Sequence, residues 1–249
     1  NGGRAAVKAF LPGLMDEYGC EFCIVNGENS AGGSGLTGRC VQELMEAGVH
    51  VITTGDHVWD QREFAAELPR LPQVLRPANA PAVQPGRGYD VFEAPGGVKV
   101  GVVCLLGRTF VNATADCPFA AADRIVAEIR QQTPVIVVDM HAEATSEKTA
   151  MGRYLDGRVS AVLGTHTHVP TADERIFPGG TAFQCDVGMV GSRDSILGRD
   201  IEPVLQRFIT GMPARFTVNN RQIRLHGTVV TVGEDGRARG IQRVLRDMP

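Results

Sequence analysis

The sequence predicts a layered α/β fold, in which α-helices flank β-sheets. Three observations favour this class. Short apolar segments alternate with amphipathic segments early in the chain, and pairs of strand-like segments follow later. Polar residues of the metal-ligating type follow several of the apolar segments. The composition, 43% hydrophobic and 21% charged residues in a chain of 249, is that of a globular protein. Without an internal repeat or a low-complexity linker, we expect one domain over residues 1–249.

The first part of the chain reads as alternating helices and strands. Apolar residues at helical spacing predict an amphipathic helix over residues 4–18, bent or interrupted at Pro12. The apolar run 22–25 lies between glycines, which is typical of a strand that is buried on both faces. A second helix is predicted over residues 36–47, and a second buried strand over 49–53.

The middle of the chain predicts a polar helix and a pair of strands. The helix is expected near residues 60–68, before a proline-rich passage over 69–85 that should follow the surface. Segments 89–94 and 98–106 are strand-like and are separated by Pro-Gly-Gly, so they are predicted to form two strands joined by a tight turn.

The remaining elements follow the same signals. A helix over 120–132 precedes the run 135–138, which is the clearest buried strand in the sequence. Another helix is predicted over 146–155, with Ser146 as its N-cap. Three further strands are predicted, over residues 159–163, 181–185 and 228–232.

Charge and hydropathy weigh against polymeric nucleic acid and against a membrane as partners. The formal net charge of −3 provides no overall electrostatic footprint for polymeric nucleic acid. No apolar run approaches the roughly 20 residues that a membrane-spanning helix needs, and the first residues lack the apolar core of a signal peptide. The six scattered cysteines fit reduced, buried thiols. We therefore expect a cytoplasmic protein without a membrane partner.

Polar side chains follow four of the predicted strands. These groups lie at residues 26–29, 55–57, 139–143 and 164–168, and they contain four of the six histidines. Because open α/β sheets hold their sites beyond the carboxyl ends of the strands, we expect these groups to converge. A lone histidine would be more typical of a hydrogen-bonded structural residue, but four of them at comparable positions favour a site.

The residue types point to metal chemistry. His166 and His168 are two apart, so an extended segment would present both on one face, and Glu28 and Asp56 add carboxylate oxygens. A mixed imidazole, carboxylate and amide set suits iron, manganese or zinc. The absence of cysteine from these loops disfavours a closed structural zinc site. Paired metals serve phosphoester hydrolysis, so we expect a hydrolase.

These motifs resemble the YmdB-like branch of the calcineurin-like metallophosphoesterases. The resemblance covers essentially the whole chain and rests on Gly27-Glu28-Asn29, Gly55-Asp56-His57, residues 141–148 (HAEATSEK) and residues 164–171 (GTHTHVPT). It implies a sandwich of two β-sheets flanked by α-helices and two divalent or mixed-valence metal ions, iron or manganese before zinc. It also implies hydrolysis of phosphodiesters, with 2′,3′-cyclic nucleotides as substrates, and a possible homo-oligomer.

The resemblance also implies roles for individual residues. Six positions correspond to the family's metal ligands: Glu28, Asn29, Asp56, His141, His166 and His168. Glu28 would bridge both ions, Asn29 and His168 would complete the first set, and the other three would hold the second ion. His57 would donate a proton to the leaving oxygen after attack by a metal-held hydroxide. Asn26, Thr145, Thr165 and Thr167 are candidates to orient the ligands.

Two departures from the family pattern keep alternatives open. The family begins with a strand whose final aspartate binds the first metal, and that strand would precede Asn1 here; we expect it to be part of the natural chain. Asp56 stands where the family usually has asparagine, which adds negative charge and should make the site less electrophilic. One alternative is therefore a low-activity regulatory or RNA-associated metal-binding protein, and another is a hydrolase of phosphomonoesters.

Overall fold

Helices and strands alternate along the chain in the computed structural model, which describes residues 2–248; the two end residues of the predicted domain, 1 and 249, lie outside the described residues. The helices are α1 (Gly2–Tyr18), α2 (Gly38–Glu46), α3 (Phe64–Glu67), α4 (Pro118–Ile129), α5 (Thr145–Tyr154) and α6 (Ile201–Thr210). The strands are β1 (Ile24–Asn26), β2 (Val51–Thr53), β3 (Val74–Leu75), β4 (Tyr89–Glu93), β5 (Lys99–Leu106), β6 (Ile136–His141), β7 (Ala161–Thr165), β8 (Arg175–Ile176), β9 (Ala182–Gln184), β10 (Val190–Ser192), β11 (Ile223–Val232) and β12 (Ala238–Asp247).

Half of the strands belong to one six-stranded sheet with the order β4-β5-β6-β7-β9-β8. Its four inner strands are parallel, and the two edge strands run antiparallel to them. A parallel sheet, β1-β2-β3, and an antiparallel one, β10-β11-β12, have three strands each. The α/β class is confirmed, although the strands of the described residues form three hydrogen-bonded sheets where two were expected.

The alternation of side chains along β5 explains the layers. Val103 and Leu105 pack with α4 and α5 in one apolar cluster, whereas Val102 and Cys104 pack with Val51 of β2 in another. Because successive side chains of a strand point to opposite faces, β5 is covered by helices on one side and by a second sheet on the other. A third apolar cluster joins α1 and α2 to the outer face of the β1-β2-β3 sheet.

Several predicted elements differ from the structure. Helix α1 continues through Pro12, which is exposed, so water can satisfy the carbonyl that loses its partner. The predicted helix over 60–68 is wrong, because only 64–67 is α-helical before a 3₁₀ turn at Leu68–Arg70. Ser146 is not the N-cap of α5, since that helix begins at Thr145.

Two long elements were not predicted. Strand β12 contains four charged residues and no regular alternation of apolar ones, but it pairs with β11 along most of its length. Helix α6 buries Val204 but leaves Phe208 and Ile209 exposed, so it packs against the core over only a small part of its surface. Between residues 2 and 248, no helix has both the length and the hydropathy needed to span a membrane.

The carboxyl ends of four strands, two from each of two sheets, lie near one another in the fold. Strands β1 and β2 run parallel with Asn26 opposite Thr53, and β6 and β7 run parallel with His141 opposite Thr165. The loops that follow these ends carry the polar groups identified in the sequence. The two sheets therefore direct these loops towards a common region.

Candidate metal centre

Two carboxylates and two imidazoles meet where these strands end. Glu28 follows β1, Asp56 follows β2, His141 is the last residue of β6, and His166 follows β7. One ligand atom from each of these four residues lies within 4.8 Å of the other three. Glu28 and His141 are almost fully buried, whereas Asp56 and His166 are partly exposed. Residues far apart in sequence thus form one candidate site.

The contacts around His141 fit a cation. Its Nε2 atom lies 3.1 Å from Glu28 Oε1, 3.0 Å from Asp56 Oδ1 and 3.1 Å from His166 Nδ1. A single N–H group can donate to only one of these three atoms, so the remaining lone pairs would face one another. Imidazole nitrogens and carboxylate oxygens around one point are a donor set that suits a transition metal ion.

The electrostatics of the same atoms favour positive charge. Burial alone would lower the pKa of His141, but Glu28 and Asp56 raise it to about 10. Burial would raise the pKa of Asp56, but the hydrogen bonds from His141 and His166 hold that pKa well below its usual value. The pocket therefore stabilises a cation beside the two carboxylates, and a metal ion would take the place of the imidazolium proton.

Asn29 and His168 lie beside this cluster and share Glu28 with it. The amide nitrogen of Asn29 is 3.3 Å from Glu28 Oε1 and 3.2 Å from His168 Nε2. Asn29 would ligate through its oxygen, so metal binding there requires the opposite amide orientation. Burial lowers the pKa of His168, which favours the neutral imidazole that binds metals. All six predicted ligand residues are thus neighbours, with Glu28 between the two groups.

His57 lies at the rim of the cluster and is partly exposed. Its Nε2 atom is 3.8 Å from Asp56 Oδ2, and its backbone N–H donates to Glu28 Oε2 at 3.4 Å. Its Nδ1 atom lies 2.9 Å from Oδ2 of Asp60. Sequence analysis did not identify Asp60, although its position three residues after His57 in a turn was a usable signal.

A buried carboxylate fixes the orientation of His141. Asp139 accepts hydrogen bonds from the hydroxyls of Thr53 at 2.5 Å and Thr165 at 2.6 Å, and from the amide of Asn26 at 3.0 Å. The Thr165 hydroxyl also lies 2.9 Å from His141 Nδ1. Because Thr165 donates to Asp139, its oxygen accepts from Nδ1–H of a neutral His141, which leaves the Nε2 lone pair facing the cluster.

The other candidates for orienting residues have different positions. The hydroxyl and the N–H of Thr167 donate to Asp186, whereas Thr145 begins helix α5. His166 has an additional partner that the sequence did not reveal, because its Nε2 lies 3.0 Å from Glu143 Oε2. A carboxylate on the second ring nitrogen is the usual arrangement for a ligating histidine, and it assigns Nδ1 of His166 to the cluster.

A cavity of about 470 Å³ borders the ligands. Glu28, Asn29, His141, His166 and His168 contribute to its polar wall, and apolar residues of helix α1 and of all three sheets line much of the rest. These ligand atoms are therefore accessible to an ion.

A layered α/β fold with this carboxylate and imidazole cluster at its strand ends defines a protein of the metallophosphoesterase type. The sequence matches the YmdB-like protein family over residues 1–244, and the chain therefore belongs to that family. The prediction of the family from the sequence motifs is confirmed.

Relatives and solved structures agree with this assignment. The chain is 46% identical over 244 residues to a 2′,3′-cyclic-nucleotide 2′-phosphodiesterase of Bacillus subtilis, an alignment that covers 98% of this chain and 92% of that protein. A hypothetical protein from Thermus thermophilus has a TM-score of 0.92 at 43% identity, covering 100% of this chain and 96% of the other. A novel phosphatase from Mycoplasma pneumoniae also has a TM-score of 0.92, at 32% identity, covering 99% and 89%.

Proposed function

We propose that this protein is a dinuclear metal-dependent phosphodiesterase that hydrolyses 2′,3′-cyclic nucleotides. The observation that carries the proposal is the convergence of Glu28, Asp56, His141 and His166 within 4.8 Å. The 46% identity to a 2′,3′-cyclic-nucleotide 2′-phosphodiesterase supports the reaction and the substrate class.

The ions would be held by two neighbouring groups of donors. Asp56, His141 and His166 would hold one ion, Asn29 and His168 would hold the other, and Glu28 would bridge them. Nitrogen and oxygen donors without thiolates favour iron or manganese, and zinc is also compatible. Bound there, the two ions would supply Lewis-acid activation of the phosphoryl group and of the attacking water at neutral pH.

His57 would donate the proton that the leaving oxygen needs. In the hydrolysis, a bond forms between the water oxygen and phosphorus, the bond from phosphorus to one ribose oxygen breaks, and that oxygen needs a proton. Asp60 accepts a hydrogen bond from Nδ1 of His57 at 2.9 Å, which orients the ring. Protonated Nε2 can then donate to the leaving oxygen as a general acid.

Hydrolysis of 2′,3′-cyclic AMP by purified protein with added Mn²⁺ tests the proposal. We expect turnover that chelation abolishes and Mn²⁺ restores, and we expect slower cleavage of a phosphomonoester such as 3′-AMP. An Asp56→Asn variant serves as the matched comparison, because it keeps an oxygen donor and removes one charge. If neither protein turned over the cyclic nucleotide while both bound Mn²⁺, the regulatory or RNA-associated alternative would replace this proposal.

A further inference from the structure

The segment that carries two of the candidate ligands has an unusual backbone. His166 has a φ of 100° and His168 a φ of 65°, so both lie in the left-handed region although neither is glycine. Such conformations are energetically unfavourable for residues other than glycine and persist only where the surroundings impose them. The loop 166–168 therefore requires contacts that hold it.

One carboxylate supplies these contacts. Asp186 Oδ2 accepts hydrogen bonds from the backbone N–H of Thr167 at 3.0 Å and from its hydroxyl at 2.7 Å. Asp186 Oδ1 accepts from the backbone N–H of Gly188 at 2.9 Å. Thr167 lies between the two histidines, so the carboxylate holds the middle of the left-handed loop by two bonds.

A buried lysine completes the arrangement. Nζ of Lys148, from helix α5, lies 2.8 Å from Asp186 Oδ2, and both side chains are 1% exposed. Taking two opposite charges out of water costs about as much as their attraction returns, so a buried pair is weak evidence for a role in stability alone. The Lys148 ammonium donates to the carboxylate together with the loop groups, and a carboxylate has enough acceptor sites for all of these donors.

We propose that the buried ion pair of Lys148 and Asp186 is a positioning device for the metal ligands His166 and His168, acting through Thr167. This inference rests on the proposed metal-dependent function. The side chains of the pair hydrogen-bond to each other, to Thr167 and to Gly188, so the effect on the ligands is transmitted by the loop backbone.

The chemistry of the acceptor explains why the residue is an aspartate. Asp186 receives three donors on Oδ2 and one on Oδ1. An asparagine offers one acceptor oxygen, and its NH₂ group would face an N–H donor of the chain. Asp186→Asn should therefore release either the Thr167 side or the Gly188 side of the loop.

Mn²⁺ binding, measured by calorimetric titration of the chelator-treated protein, tests the inference without reference to turnover. We expect Asp186→Asn and Thr167→Val to weaken Mn²⁺ binding about 10- to 100-fold, the range for lost partners of metal ligands. Thr167→Ser keeps the hydroxyl and should retain binding within a few-fold of the wild type. Asp123→Asn removes the carboxylate of an exposed pair with Arg158 and should leave binding unchanged.

The outcomes separate this inference from its premise. If folded Asp186→Asn and Thr167→Val bound Mn²⁺ like the wild type, with only a lower melting temperature, the pair would be structural and the inference wrong. If Asp186→Asn failed to fold, Thr167→Val and Thr167→Ser would decide, because they leave the ion pair intact. A wild-type protein that bound no Mn²⁺ would overturn the proposed function first, and this inference with it.

Discussion

Gly55 allows the candidate ligands to approach one another, and a side chain at this position should push them apart. A Cβ atom at this position would lie 2.2 Å from both Glu28 Oε2 and His141 Nε2, whereas ordinary contact begins at 3.4 Å. The difference, about 1.2 Å, is the distance that the ligand atoms would have to move in Gly55→Ala. The φ of Gly55 lies outside the left-handed region, so the expected effect is steric and not a consequence of backbone strain.

A misplacement of about 1 Å in catalytic geometry costs on the order of 100-fold in rate. We therefore expect Gly55→Ala to lose about that factor in kcat/KM for 2′,3′-cyclic AMP and to bind Mn²⁺ more weakly. Gly13→Ala is the matched control, because a Cβ at residue 13 in α1 meets no atom within 4 Å. That variant should keep its Mn²⁺ affinity and gain roughly 1 kcal/mol of stability from helix propensity. Wild-type affinity and turnover in Gly55→Ala would refute the proposed ligand geometry.

Three further predictions concern the same site. His57→Ala should keep its metal by elemental analysis and lose most turnover, whereas His141→Ala should lose metal; an empty site in His57→Ala would contradict this division of roles. Asp56→Asn should bind Mn²⁺ more weakly but turn over faster, because a neutral ligand leaves the ions more electrophilic; slower turnover would argue against that reasoning. In metal-free protein, Glu28 and Asp56 raise the pKa of His141 to about 10, above the value near 6.5 of an unfolded chain. The resulting stability should be fully present below about pH 6.5 and be lost as the pH rises through 10, which urea unfolding at pH 6 and pH 10 would measure; equal stability would refute it.

The sequence was sufficient for the parts of the fold that depend on local patterns. The parallel strands β6 and β7 are short apolar runs followed directly by ligand-type residues, and periodicity identifies such runs. Strand β12 could not be predicted in this way, because its pairing partner β11 determines its conformation more than its own residues do. The prediction of one domain over residues 1–249 and the expectation of a homo-oligomer stay predictions.

The candidate site could likewise be predicted only in part. Glu28, His141 and His166 were accessible to sequence analysis because ligand types and strand ends are both visible in the letters. Asp186 was not, because its hydrogen bonds to Thr167 depend on the positive φ angles of His166 and His168, which only the folded chain displays.

The geometry of the ligands therefore depends on residues that carry no metal-binding chemistry. Gly55 would act through the absence of a side chain, and Lys148, on the proposal above, through a charge that is buried away from the cluster. Ligand-type residues alone would place donors near one another, but binding a shared cation requires the donor atoms to be positioned to within a fraction of an ångström. A protein that kept all six predicted ligands and lost the Lys148–Asp186 pair should hence bind Mn²⁺ more weakly than the wild type, as calorimetric titration would measure.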